Sequence, residues 1–100
     1  MRVLIISDDG FEDSELLVPK SRLKEEGFQV DIATPAGGKI TGEYGYEVTG
    51  TRALSKVRAK DYDLLFIPGG CSVESARLDE QAVACARTMI DQNKIVGAIC

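Results

Sequence analysis

The sequence predicts an α/β fold, a flavodoxin-like parallel sheet sandwiched by helices. Three observations carry this reading. Runs that are apolar on both faces stand at residues 3–6, 64–67 and 95–99, as buried parallel strands require. Helix-spaced apolar stripes flanked by charge fall in two of the gaps between strand candidates. Strand, helix, strand, excursion, strand, helix, strand is the order of parallel units joined by right-handed crossovers. One hundred residues hold a single α/β domain, 1–100.

The first strand, Val3-Leu4-Ile5-Ile6, is apolar throughout. After it Leu16, Pro19 and Leu23 recur at helical spacing beside Lys20, Arg22, Lys24, Glu25 and Glu26, and Gly27 supplies a left-handed stop. Pro19 has no amide to donate, so it belongs in an early turn or kinks the helix. Phe28-Gln29-Val30-Asp31-Ile32-Ala33 alternates more and suits a strand nearer a sheet edge. Between residues 35 and 60, glycines and short β-like pieces such as Tyr44-Gly45-Tyr46-Glu47-Val48 predict a hairpin or irregular excursion. Leu64-Leu65-Phe66-Ile67 is again wholly apolar and stops at Pro68-Gly69-Gly70. Asp79 suits the N-cap of a second helix, with Glu80 in its positive first turn. Its stripe is Leu78, Ala82, Cys85 and Met89, flanked by Ala86 and Ile90, and it fades at Asn93. The fourth strand, Ile95-Val96-Gly97-Ala98-Ile99, runs into Cys100. Strand one belongs in the middle of the sheet, strand two outside it, and strands three and four on its other side.

Composition narrows the function. Lys plus Arg is 12 and Asp plus Glu 16, a net charge of −4. That balance makes nucleic acid, whose phosphates need clustered cations, a poor partner. No apolar run approaches the ~20 residues of a membrane-spanning helix, so no membrane association is expected. The apolar run near the N-terminus is too short for a signal peptide and is followed by acids, which reads as cytoplasmic. The chain has no His, and Cys71, Cys85 and Cys100 are odd in number and far apart. Neither a disulfide framework nor a zinc site fits, and no metal or cofactor is expected.

Ligands of such sheets bind beyond the carboxyl ends of the strands, where winding reverses. Residues 7–15, 68–71 and Cys100 fall there. Glu12 and Asp13 suit the positive start of a helix as plain capping groups. Glu15, in the first turn, points toward whatever ends strand four. Pro68-Gly69-Gly70 is either a plain turn or a site where bare amides approach a developing negative charge. Cys100, after small Gly97 and Ala98, is either an inert buried thiol or an elbow nucleophile activated by a following helix. Cys85 sits on its helix's apolar stripe and reads as core. Cys71 adjoins the Gly-Gly turn without an assigned task.

Gly10-Phe11-Glu12-Asp13-Ser14-Glu15, Arg22-Leu23-Lys24-Glu25-Glu26-Gly27, Pro68-Gly69-Gly70 and Ala98-Ile99-Cys100, in that order, resemble the PfpI-type intracellular cysteine proteases and protein deglycases. These lie within the class I glutamine amidotransferase-like superfamily. The resemblance spans the whole sequence and implies Cys100 as nucleophile, Glu15 hydrogen-bonded to its thiol, and Gly70 as an oxyanion-hole amide. It also implies that Glu74 reaches a neighbouring subunit's site, in a homo-oligomer that is a dimer or a ring of dimers.

The family's His directly follows the nucleophile, and this sequence stops at Cys100. Two helices over four parallel strands would also leave sheet surface bare, which parallel sheets rarely tolerate. We therefore expect the domain to be incomplete at its C-terminus. The expected activity is hydrolysis of peptide bonds by the Cys100 thiolate. The alternatives are a glyoxalase or deglycase acting on small carbonyl substrates, and a non-enzymatic redox-sensing or chaperone-like stress protein.

Overall fold

Pleating along the first strand, β1 (Arg2–Ile6), sends Leu4 and Ile6 to one face and Val3 and Ile5 to the other. All four are at most 1% exposed, so both faces are covered. The computed structural model behind this description covers residues 1–35, 37–69 and 80–98, with backbone alone at Gln81 and Ala98.

Beside β1 lie β2 (Gln29–Thr34) and β6 (Leu64–Ile67), then β5 (Arg52–Ala53) and β7 (Ile95–Ala98) at the edges. The order is β5-β2-β1-β6-β7 and every pairing is parallel. That is the predicted flavodoxin-like arrangement, extended by one short strand. Helix α1 (Asp13–Glu25) covers one face through Leu16 and Leu23, together with a hairpin of β3 (Lys39–Thr41) and β4 (Glu47–Thr49) that contributes Ile40 and Val48. Helix α2 (Glu80–Asp91) covers the other through Ala82, Cys85 and Met89. Two 3-10 turns, Leu54–Lys56 and Ala59–Asp61, complete that second core with Leu54 and Tyr62. Full burial of side chains such as Leu4 or Met89 contributes about 1.5–3 kcal/mol each before entropy is charged.

Both helices stop by the same backbone device. After α1 the Gly27 amide donates to the Lys24 carbonyl and Phe28 to Leu23, with Gly27 at φ 84°. After α2 the Asn93 amide donates to Ile90 and Lys94 to Met89, with Asn93 at φ 59°. These are Schellman closures, which need a residue tolerant of left-handed backbone. Glycine supplies it in one helix and asparagine in the other.

Pro19 sits in the second turn of α1 and leaves the Glu15 carbonyl without its helical donor. The structure departs from expectation in three places. Ile90, expected beside the buried stripe of α2, is 59% exposed. Tyr44 to Tyr46 form the turn of the hairpin and only Glu47–Thr49 is strand. Finally, β5 and the two 3-10 turns carry no periodic pattern and were not anticipated. Leu78 and Asp79 lie outside the described residues.

Sheet cover is uneven. On the α1 side Leu64 and Phe66 of β6 are half-buried, and Ile95 of β7 is exposed. Among the described residues no helix is long and apolar enough to cross a membrane.

Candidate active site

The chain leaves β1 through α1 on one face and β6 through α2 on the other, so the winding reverses between these neighbouring strands. The crevice beyond their carboxyl ends is the expected ligand position. Its first wall is residues 7–12. Ser7 is buried, and its amide extends the pairing to the Ala33 carbonyl (3.1 Å). Gly10 then turns the chain at φ 84°, a conformation that a side chain would strain.

Glu12 begins α1. Its carboxylate accepts from the Ser14 and Glu15 amides at 3.3 and 3.2 Å, satisfying two of the helix's free donors. The Ser14 hydroxyl also donates to it, and this bond, helped by the two amides against the opposing effect of burial, holds Glu12 below the usual carboxylate range.

The second wall is the turn after β6, where Pro68 and Gly69 are buried. The start of α1 grips it from both sides of one residue. The Glu12 amide donates to the Gly69 carbonyl (2.9 Å), and the Gly69 amide donates to Glu15 Oε1 (3.0 Å). Glu15 therefore bonds to the turn after β6, 54 residues away in sequence.

A third element reaches the same loop. Asp13 accepts from the Tyr44 amide (3.1 Å) and the Tyr46 amide (2.8 Å), and Asp9 accepts from Thr41 (2.9 Å). Backbone bonds from Gly10 to Thr41 and from Glu43 to Phe11, both 2.8 Å, complete the junction. A Cβ at Gly42 would lie 2.7 Å from Asp13 Cγ and 2.9 Å from the Phe11 ring, so this close approach needs glycine. Asp13, expected as a capping charge, is instead a clamp on the hairpin. One signal existed in the sequence, the Gly42-Glu43-Tyr44-Gly45 turn, but nothing local linked it to Asp13.

Of the predicted site residues the structure describes Glu15. Cys100, Glu74, Gly70 and Cys71 lie outside the described residues. Cys85 is buried as expected, and burial pushes its thiol pKa up against the opposing charge of Lys94. Among the described residues no group of His, Cys, Asp and Glu could hold a metal ion.

Fold and crevice together define a flavodoxin-like α/β protein whose site is framed by a helix-borne glutamate and a glycine turn. A sequence model of the DJ-1/PfpI family matches residues 1–100, and the chain belongs to that family. It is 47% identical over its whole length to Deglycase TK1284 of Thermococcus kodakarensis and 44% identical to Deglycase PfpI of Pyrococcus furiosus. It is 36% identical over 99% of its length to YraA of Bacillus subtilis, named a candidate cysteine protease. The chain spans 60% of the first two relatives and 59% of the third. Among solved structures, a two-domain Anabaena variabilis protein with DJ-1/ThiJ/PfpI-like and ferritin-like domains superposes with a TM-score of 0.95 at 27% identity, covering 99% of this chain and 29% of that one. Oxidized DJ-1 of Toxoplasma gondii gives 0.92 at 27% identity, covering 99% and 55%.

Proposed function

We propose that the full-length protein is a cysteine-dependent deglycase, with Cys100 as nucleophile and early glycation adducts or free glyoxals as substrates. The observation that carries this is the Gly69 amide bonded to Glu15. Pairing of β6 with β7 sets Ile67 opposite Ala98, and two residues further along each chain stand Gly69 and Cys100. That register favours Glu15, which holds the turn after β6, as the carboxyl partner of the thiol.

The same clamp supports a role for Gly70. The Gly69 carbonyl, fixed by the Glu12 amide, belongs to the peptide unit that also carries the Gly70 N–H. Anchoring it would aim that amide. In the proposed step the thiolate bonds to a carbonyl carbon, the C=O electron pair moves to oxygen, and amides near Gly70 hold that charge. Glu15 shares the thiol proton in this step, and any imidazole base comes from outside these residues, since they contain no His. Glu74 would act across a subunit boundary in a homo-oligomer. The relatives named as deglycases favour this substrate class. The name of YraA favours the second reading, peptide hydrolysis by the same thiol.

Steady-state assays of the full-length protein with methylglyoxal and with a fluorogenic peptide separate the two. Turnover of methylglyoxal that Cys100→Ala reduces by at least ~10³-fold is expected. Turnover of the peptide alone transfers the assignment to the hydrolase reading. Activity that survives Cys100→Ala overturns both.

A further inference from the structure

We propose that the cleft between the two 3-10 turns and α2 is a second binding site, for a small amphiphilic carboxylate with a short aliphatic chain. The cleft measures about 300 Å³, at the lower end of small-molecule sites. Leu54, Val57 and Cys85 give it an apolar floor, and Lys60, Thr88 and Gln92 give it a polar rim. Cys85, Thr88 and Gln92 are spaced i, i+3, i+7, so the end of α2 and the residue just after it present them along one face. An ammonium, a hydroxyl and a side-chain amide thus flank an apolar slot, which matches a molecule with an anionic head and a hydrocarbon tail.

Charge selects the anion. The protein carries −4 overall, yet residues 50–60 contain Arg52, Lys56, Arg58 and Lys60 and no acid. Arg52 is committed to Asp31; Lys56 and Lys60 stand on the turns with Arg58 between them, Asp61 closes the second turn, and of these charges Lys60 lines the cleft. Lys94 adds a further cation beneath them, its Nζ donating to the Ala59 carbonyl at 2.9 Å. The neighbouring acids in sequence, Asp61 and Asp91, do not line the cleft. A local positive field in an acidic protein draws small anions to this spot and repels them elsewhere. Lys94 directly precedes β7 and the turn holding Ala59 leads into β6, so the cleft opens at the amino edge of the sheet. The Glu15–Gly69 crevice is at the carboxyl edge. The inference is therefore independent of the catalytic reading.

Cys85 is a built-in reporter, because it lines the cleft and an occupant would slow its already slow alkylation further. The test alkylates the full-length protein with N-ethylmaleimide in rising octanoate and follows the Cys85 peptide by mass spectrometry. Saturable slowing by about tenfold is expected, with neutral octanamide about fivefold less effective for want of the charge-assisted contact. Lys60→Glu and Ala84→Phe, both at exposed lining positions, should abolish protection while circular dichroism stays unchanged. Absence of saturable protection overturns the proposal, as does equal protection by octanamide or in Lys60→Glu. Protection that follows protein concentration instead of octanoate assigns the cleft to a second copy of the chain and also overturns it.

Discussion

Glu15→Leu in the full-length protein is expected to lower kcat/KM by about 10²–10⁴-fold, the usual worth of a positioned proton-transfer group. The leucine is similar in size, so the first turn of α1 keeps its packing. What disappears is the acceptor for the Gly69 amide at 3.0 Å and, in the proposed site, the proton shared with the Cys100 sulfur. Glu15→Gln keeps an oxygen for Gly69 and a donor for the sulfur but cannot titrate. It should therefore retain more activity and change the pH profile of kcat/KM. Leucine and glutamine variants with unaltered pH–rate profiles would remove Glu15 from the reaction and leave it a structural clamp.

Asp31→Ala should cost about 2–4 kcal/mol of folding stability, read as a lower urea midpoint at pH 7. Asp31 is 8% exposed within β2, and its Oδ2 gathers three partners. The Tyr62 hydroxyl donates at 2.6 Å, Arg52 Nε at 3.3 Å and Arg2 at 3.4 Å, while the Arg2 guanidinium lies 5.0 Å above the Tyr62 ring. Removing the carboxylate strands the Tyr62 hydroxyl in the core and leaves two guanidinium groups without their anion. Burial alone would raise the Asp31 pKa, but the Tyr62 and arginine partners outweigh it and hold the group below its ordinary value. Its stabilisation is present above the unfolded value of about 4 and is lost as pH falls through the lowered folded value. Tyr62 behaves oppositely. Burial and the Asp31 bond push its pKa up to about 12. Its contribution is present below the unfolded value of about 10 and fades as pH rises from there through about 12. Tyr62→Phe should remove that alkaline loss, and an Asp31→Ala midpoint within error of the parent would show that the cluster is surface decoration.

The strands and helices were legible because each announces itself within a few residues. β1 and β6 are apolar on both faces, and Gly27 marks the end of α1. The strand order followed from handed crossovers. Features that escaped are held by contacts distant in sequence. β5 is two residues long and is seeded by Thr51, whose amide donates to the Ile32 carbonyl (2.8 Å) while its hydroxyl accepts from the Ile32 amide (2.8 Å). No propensity scale registers such a strand. Asp31, in an alternating stretch, has the pattern of a solvent-facing residue, and only the fold brings Arg2, Arg52 and Tyr62 around it. For the same reason Asp13 looked like a cap. The contact of Glu15 with the turn after β6 had a local signal, since the helix first turn and the sheet edge are each read within a few residues.

The central claim is that Cys100 is an activated thiol beside Glu15, and its alkylation by iodoacetamide in the full-length protein tests it most directly. Labelling of the Cys100 and Cys85 peptides is followed by mass spectrometry from pH 5 to 9. Cys85 is an internal reference, since burial raises its pKa and shields its sulfur. A thiol held as thiolate at neutral pH gains about thirtyfold in reactive fraction over an ordinary cysteine. The account predicts that Cys100 labels at least that much faster than Cys85 at pH 7, and that Glu15→Leu shifts its profile to higher pH. Equal rates for the two cysteines, or a Cys100 profile unmoved by Glu15→Leu, would contradict it.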